Sequence, residues 1–299
     1  MNSSLYSIRG TRLYVEQYNE KAEEVLLYLH GGPGASCIDF CFYQAKELSR
    51  ALRVIAIDQR GVLRSDPIHE NEQFGIDDII QDLEELRIEL GISKWNLLGH
   101  SFGGILAVKY AVKYPNAIKK IIFETPCFDT QSSTRSIISK ARQHFMEHVH
   151  SDGTRECDKY LNGDFNPNEM WNAMGRIFQL LGEDKDLLYF KGLTPDEYNK
   201  IFQSQEHTED LWSQNEIHHS KLQEEGKLFE NLIPVLSLLS CPTLLMAGAF
   251  DPVCCTVQQH AYLQQVEDSR IIVFEKSAHF PRLEEPEKYT KEVLSFILD

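Results

Sequence analysis

Apolar and polar positions change rhythm along the chain in a regular way. Short, nearly continuous apolar runs at 25–29, 53–58, 96–98, 118–123, 241–249 and 270–274 have the density of strands buried on both faces. Between them, 40–52, 76–90, 105–114, 256–266 and 286–298 carry apolar residues at helical spacing, with Gly91 and Pro115 as stop signals. Two further runs, 5–9 and 13–18, flank Gly10 and read as an antiparallel hairpin. Strands alternating with helices predict an α/β protein with a mainly parallel central sheet and helices on both faces. The alternation breaks near Cys127 and resumes near Cys241. The segment 127–240 is polar and amphipathic, with helices predicted at 136–150, 168–181, 194–203 and 206–219, and it counts 11 basic and 19 acidic residues. It reads as a helical cap inserted into a core domain made of 1–126 and 241–299.

The run from Asn96 to Leu98 leads into Gly99-His100-Ser101-Phe102-Gly103-Gly104 and then a helical pattern. A serine between two glycines at a strand–turn–helix junction is the G-x-S-x-G nucleophile elbow. Gly99 and Gly103 remove side chains that would collide on so tight a turn, and the helix N-terminus behind Ser101 favours negative charge at whatever the serine attacks. A serine hydroxyl needs a base, and the base needs an orienting carboxylate. Asp251, directly after the run 241–249, and His279, in the loop after 270–274, follow in the order serine, acid, histidine. Glu124, ending the run 118–123, is the rival acid. An oxyanion requires two N–H donors: Phe102, next to the nucleophile, and Gly32, in the loop His30-Gly31-Gly32-Pro33-Gly34. His30 is expected to brace that loop.

The 299 residues include 30 basic and 45 acidic side chains, for a net charge of −15, which argues against nucleic acid and anionic membranes as partners. No apolar run approaches the roughly 20 residues of a bilayer span. No signal peptide is evident, and seven irregularly spaced cysteines point to free thiols in a reducing, cytoplasmic setting. His144, His148 and His150 are close in sequence but match no known ligand pattern, and neither a phosphate loop nor a dinucleotide fingerprint is present. No metal and no cofactor is expected.

His30-Gly31-Gly32-Pro33-Gly34, Asp58-Gln59-Arg60-Gly61 and Gly99-His100-Ser101-Phe102-Gly103-Gly104, in that order, resemble the proline iminopeptidase family of α/β-hydrolases. The resemblance implies the α/β-hydrolase fold with an inserted helical cap, Ser101, Asp251 and His279 as a catalytic triad, and release of N-terminal residues from short peptides. It also implies that cap glutamates hold the substrate's amino group. Asn215-Glu216-Ile217 stands where the family has Asn-Glu-Phe, so Glu216 is the corresponding substrate-binding residue. The chain departs from the pattern at Pro252, where related peptidases have a second amine-binding glutamate, at Phe102 in place of tryptophan, and at Leu63 in place of glycine. One carboxylate holds a buried ammonium less well than two. A carboxylesterase, lactonase or amidase acting on small acyl compounds is therefore the alternative, and a ligand receptor that does not turn over is a third.

Overall fold

A computed structural model describes residues 1–203 and 209–299. Its eight strands are β1 (Asn2–Ile8), β2 (Thr11–Tyr18), β3 (Val25–Leu29), β4 (Arg53–Ile57), β5 (Trp95–His100), β6 (Ile118–Glu124), β7 (Thr243–Gly248) and β8 (Ser269–Phe274). They lie in the order β1-β2-β4-β3-β5-β6-β7-β8. The pairs β1–β2 and β2–β4 are antiparallel, and every later pair is parallel. The opening hairpin turns through Arg9 and Gly10, whose φ angles of 47° and 81° suit the right-handed twist of the strands it joins.

The apolar runs are continuous because side chains alternate between two covered faces. In β3, Leu26 and Tyr28 join one hydrophobic cluster, with Phe40 and Leu48 of the helical segment 38–48 and with Val293 and Phe296 of the helix Pro286–Leu298. Leu27 and Leu29 join the other. That second cluster includes Ile79 and Leu83 from the helix Ile76–Glu89, Leu106 from the helix Phe102–Lys113 and Tyr262 from the helix Thr256–Gln265.

Between β6 and β7 the described residues form helices at Thr130–Glu147, Ser151–Asn162, Pro167–Leu181, Pro195–Gln203 and Glu209–Glu225, and no strand. The first starts earlier than the pattern predicts because Asp129 caps it, its Oδ2 accepting the Ser132 N–H at 3.1 Å. Ser151–Asn162 is not predicted at all. It buries only Gly153, Cys157 and Tyr160, too sparse an apolar stripe to read. Part of the predicted helix 206–219 lies outside the described residues. The inserted helices share the second cluster with the sheet, since Phe128, Ile137, Met170, Ile177 and Leu222 pack in the same set as Phe123 and Leu245. Among the described residues no helix is long and apolar enough to cross a membrane.

Candidate active site

Four loops converge at the carboxyl ends of parallel strands: Gly31-Gly32 after β3, Ser101 after β5, Asp251 after β7 and His279 after β8. Ser101 sits at φ 53°, ψ −117°, a conformation that costs a non-glycine residue about 1–3 kcal/mol. The surroundings hold it there. Its N–H donates to the Glu124 carbonyl at 3.0 Å, and its own carbonyl accepts from Gly104 and Cys127. A Cβ at Gly103 would overlap the Leu29 carbonyl, and one at Gly99 would overlap the Gly103 carbonyl, so the turn can close only with glycine at both places.

Asp251 Oδ1 lies 2.9 Å from His279 Nδ1. The same carboxylate accepts the Val253 and Cys254 N–H groups, each at 2.9 Å. An acceptor so anchored keeps the proton on Nδ1 and leaves Nε2 with a lone pair. The histidine backbone is pinned as well: its N–H donates to the Tyr189 carbonyl, and its carbonyl accepts the Thr125 hydroxyl, both at 2.9 Å. Ser101 and His279 line one cavity of about 240 Å³. No hydrogen bond joins them among the described residues; such bonds are often long before substrate arrives. Glu124, the rival acid, is engaged elsewhere, with Arg282 Nη1 at 2.8 Å and Tyr289 Oη at 2.9 Å.

Gly32 and Phe102 line the same cavity. Phe102 opens its helix, so its N–H is one of the leading donors without an intrahelical partner. Gly32 takes φ 109°, where only glycine is unstrained. His30 is buried, with Nε2 accepting the Gln59 N–H at 3.1 Å and Nδ1 3.0 Å from the Gly31 carbonyl. Burial lowers its pKa, consistent with a neutral ring that braces the loop. Arg60 is likewise structural in its contacts, paired with Asp82 at 2.8 Å and Glu72 at 3.1 Å. Leu63, in the left-handed region at φ 42°, is held by the cap: its N–H donates to Asn215 Oδ1 and its carbonyl accepts from Gln214.

Glu216 does not reach this site. It is exposed and is not among the cavity-lining residues, because its helix turns Asn215 and His218 inward instead. The sequence reading also missed what the cavity does contain. His100 is buried against His279 with ring centroids 4.7 Å apart, and burial together with the Arg282 charge pushes its pKa well below the usual range. Tyr28, Asp39, Tyr198 and Arg282 line the cavity too. A charged residue set among apolar neighbours, as Arg282 is in Phe280-Pro281-Arg282-Leu283, was the available signal. Among the described residues, the trio of possible metal ligands within reach of one another is Glu16, Cys37 and Cys41, and Arg64 already occupies it, 2.6 Å from Glu16 and 3.2 Å from Cys37 Sγ. His144 instead pairs with Asp184 at 3.1 Å.

A hydroxyl on a strained elbow that shares a cavity with an imidazole anchored by a carboxylate is an arrangement suited to acyl transfer. Residues 24–286 match the model of the alpha/beta hydrolase fold family, and the chain belongs to that family. It is 26% identical to a proline iminopeptidase of Heyndrickxia coagulans over 298 residues, covering 97% of this chain and 96% of the relative. It is 29% identical to a proline iminopeptidase of Saccharolobus solfataricus over 296 residues, covering 97% and 90%. Among solved structures, the proline iminopeptidase of Mycobacterium smegmatis matches with a TM-score of 0.74 at 19% identity, covering 99% of this chain and 97% of that one.

Proposed function

We propose that this chain is a serine hydrolase that cleaves small substrates with a largely apolar acyl group, through an acyl-enzyme on Ser101. Ser101 Oγ attacks the carbonyl carbon while His279 Nε2 takes its proton. Asp251 keeps the ring oriented and stabilises the imidazolium. The Gly32 and Phe102 N–H groups receive the oxyanion. His279 returns the proton to the leaving group, and water, activated by the same ring, releases the acid. The observation that carries this reading is His279, anchored by Asp251, on the same cavity as the elbow serine. Ile105, Ile137, Met174, Leu228, Val253 and Phe280 supply apolar walls that strengthen electrostatics at the reacting carbonyl. Turnover of p-nitrophenyl esters, with fluorophosphonate labelling of Ser101, tests it. A protein that neither labels nor turns over would be a ligand receptor.

A second reading, an aminopeptidase acting on short peptides, is supported by the names of the full-length relatives. Against it stands the chemistry of the cavity. Asp39 is the one carboxylate among the described lining residues, and it is already held by Arg282, Tyr198 and the Phe40 N–H. Glu216→Gln is therefore expected to change kcat/KM less than about two-fold, both for aminoacyl p-nitroanilides and for plain esters. A loss of about ten-fold or more confined to the free amines, the size expected for a charge-assisted hydrogen bond, would reinstate the aminopeptidase.

Activity is also expected to fall on acidification, because a protonated imidazole cannot accept the serine proton. A kcat/KM profile that stayed level from neutral pH down to about pH 4 would remove His279 as the base.

A further inference from the structure

The loops that carry Asp251 and His279 are tied to the inserted segment by groups the acyl-transfer steps do not use. Residues 188–192 are the common attachment. The Tyr189 carbonyl accepts the His279 N–H at 2.9 Å. Glu284, in the short helix Pro281–Glu284, bridges the same two parts of the chain. Its Oε2 accepts the Ala278 N–H at 2.7 Å, and its Oε1 accepts the Lys191 and Gly192 N–H groups at 2.6 and 2.7 Å. Lys140, on the helix Thr130–Glu147, makes the matching tie to the acid loop. Its Nζ donates to the Leu188 carbonyl at 2.7 Å and to the Phe250 carbonyl, one residue before Asp251, at 2.9 Å. The two loops also meet each other, since the Phe250 N–H donates to the Ser277 carbonyl at 3.1 Å. On its other side the histidine loop rests on the end of β7, where a Cβ at Gly248 would fall 1.8 Å from the Ala278 carbonyl. The loop is thus held between the sheet and the inserted segment.

We propose that Glu284 and Lys140 are positioning residues for the hydrolysis: through residues 188–192 they set where the His279 and Asp251 loops stand relative to Ser101. The role rests on the hydrolase reading given above. The Asp251 carboxylate orients the imidazole ring, but it does not fix where the loop places the histidine backbone. That is left to the Thr125 hydroxyl, on the core side, and to Tyr189 and Glu284 on the other. Glu284 is suited to the task because a carboxylate accepts at both oxygens, and bonds to an ionised acceptor are stronger than neutral ones. Glutamine at this place would keep one acceptor oxygen and turn an NH₂ group toward an N–H donor at the other. Lys140 is suited because an ammonium donates to two carbonyls at once, which methionine cannot do. Neither side chain is among the described residues that line the cavity, so both act through the catalytic loops and not on the substrate. A misplacement of about 1 Å between reacting groups costs on the order of 10²-fold in rate.

The test separates alignment from folding. Wild type, Glu284→Gln, Lys140→Met and Lys140→Arg are labelled to completion with a fluorophosphonate, and kcat on a p-nitrophenyl ester is expressed per labelled Ser101. Glu284→Gln and Lys140→Met are expected to lose about ten- to 100-fold in kcat per labelled site, the upper end being that of a 1 Å misplacement. KM should stay within about two-fold of wild type, because no substrate contact is removed. Lys140→Arg keeps the charge and the donors and is expected to recover most of the loss. A merely structural role gives a different pattern: a lower urea midpoint and fewer labelled sites, with kcat per labelled site unchanged. That pattern overturns the proposal, and so does a rise in KM at constant kcat, which would place the two side chains on the substrate. The two variants act from separate elements, so if one fails to fold the other decides. A wild-type protein that neither labels nor turns over would overturn the hydrolase reading and the positioning role together. Wild-type turnover with unaltered kcat in both variants would overturn the positioning role alone.

Discussion

Ser101→Ala should abolish turnover while leaving the protein folded. Removing a nucleophile that acts in concert with its base costs about 10⁴- to 10⁶-fold in kcat. The fold should tolerate the change because the contacts holding the elbow are made by the backbone of Ser101, to Glu124, Gly104 and Cys127, and alanine keeps all of them. Its Cβ also occupies the same strained φ of 53° as serine's. The measurements are kcat on a p-nitrophenyl ester, fluorophosphonate labelling by intact mass, and the urea midpoint. A variant that still labelled, or that turned over at the wild-type rate, would mean that another group is the nucleophile.

Arg282→Met should give the largest loss of stability. The arginine is the shared partner of Asp39 and Glu124, which are 3% and 0% exposed, and deleting one member of a buried ion pair costs about 3–5 kcal/mol. The expected loss is pH-dependent, and its sign follows from Glu124. Burial raises the pKa of Glu124 even with Arg282 lowering it, and removing Arg282 raises it further. A carboxyl group whose folded pKa is raised binds its proton more tightly in the folded chain. The stability tied to that proton is complete below the unfolded value of about 4.3 and is lost as pH rises through the folded value. The deficit of Arg282→Met should therefore shrink between neutral pH and about pH 5. Adding Glu124→Gln and Asp39→Asn should recover part of it at neutral pH. Urea unfolding at the two pH values decides the matter. A deficit below about 1 kcal/mol, or one that grew on acidification, would show that the cluster is not held as a charged triad.

What could be read from the sequence depended on how local the determining contacts are. The elbow is written in six consecutive residues, and Asp251 and His279 each follow a strand that its own apolar run announces. The sheet was legible for the same reason, since β3 to β8 are short dense runs bounded by turns. The polar wall was not. Arg282 and Asp39 lie 243 positions apart, and no periodicity relates them. Glu216 failed differently. Its spacing from Asp251 put it on a helix of the inserted segment, but spacing does not say which way that helix faces. Leu211, Asn215, His218 and Leu222 recur at helical intervals on the inward stripe, and Glu216 stands about 100° away from Asn215. His218 faces the Arg60 carbonyl at 2.7 Å, and burial pushes its pKa down to about 3.

The placement of the cap between neighbouring strands has a kinetic consequence. In the β6–β7 ladder Ile121 is the partner of Thr243, so the chain must emerge for more than a hundred further residues before this edge is paired. Loop-closure entropy grows only logarithmically, by about 0.6 kcal/mol for each doubling of length, so the insertion costs the finished protein little. The burden falls on the folding rate, because long-range parallel pairings form late. During synthesis at about 5–20 residues per second, β6 would spend several seconds as an open edge. The helix Thr130–Glu147 is made immediately after it, and its Ile137 and Ile138 belong to the cluster that contains Phe123. That helix is thus made in time to contribute to the apolar cluster on one face of β6, while the hydrogen-bonding edge of the strand stays open until β7 emerges.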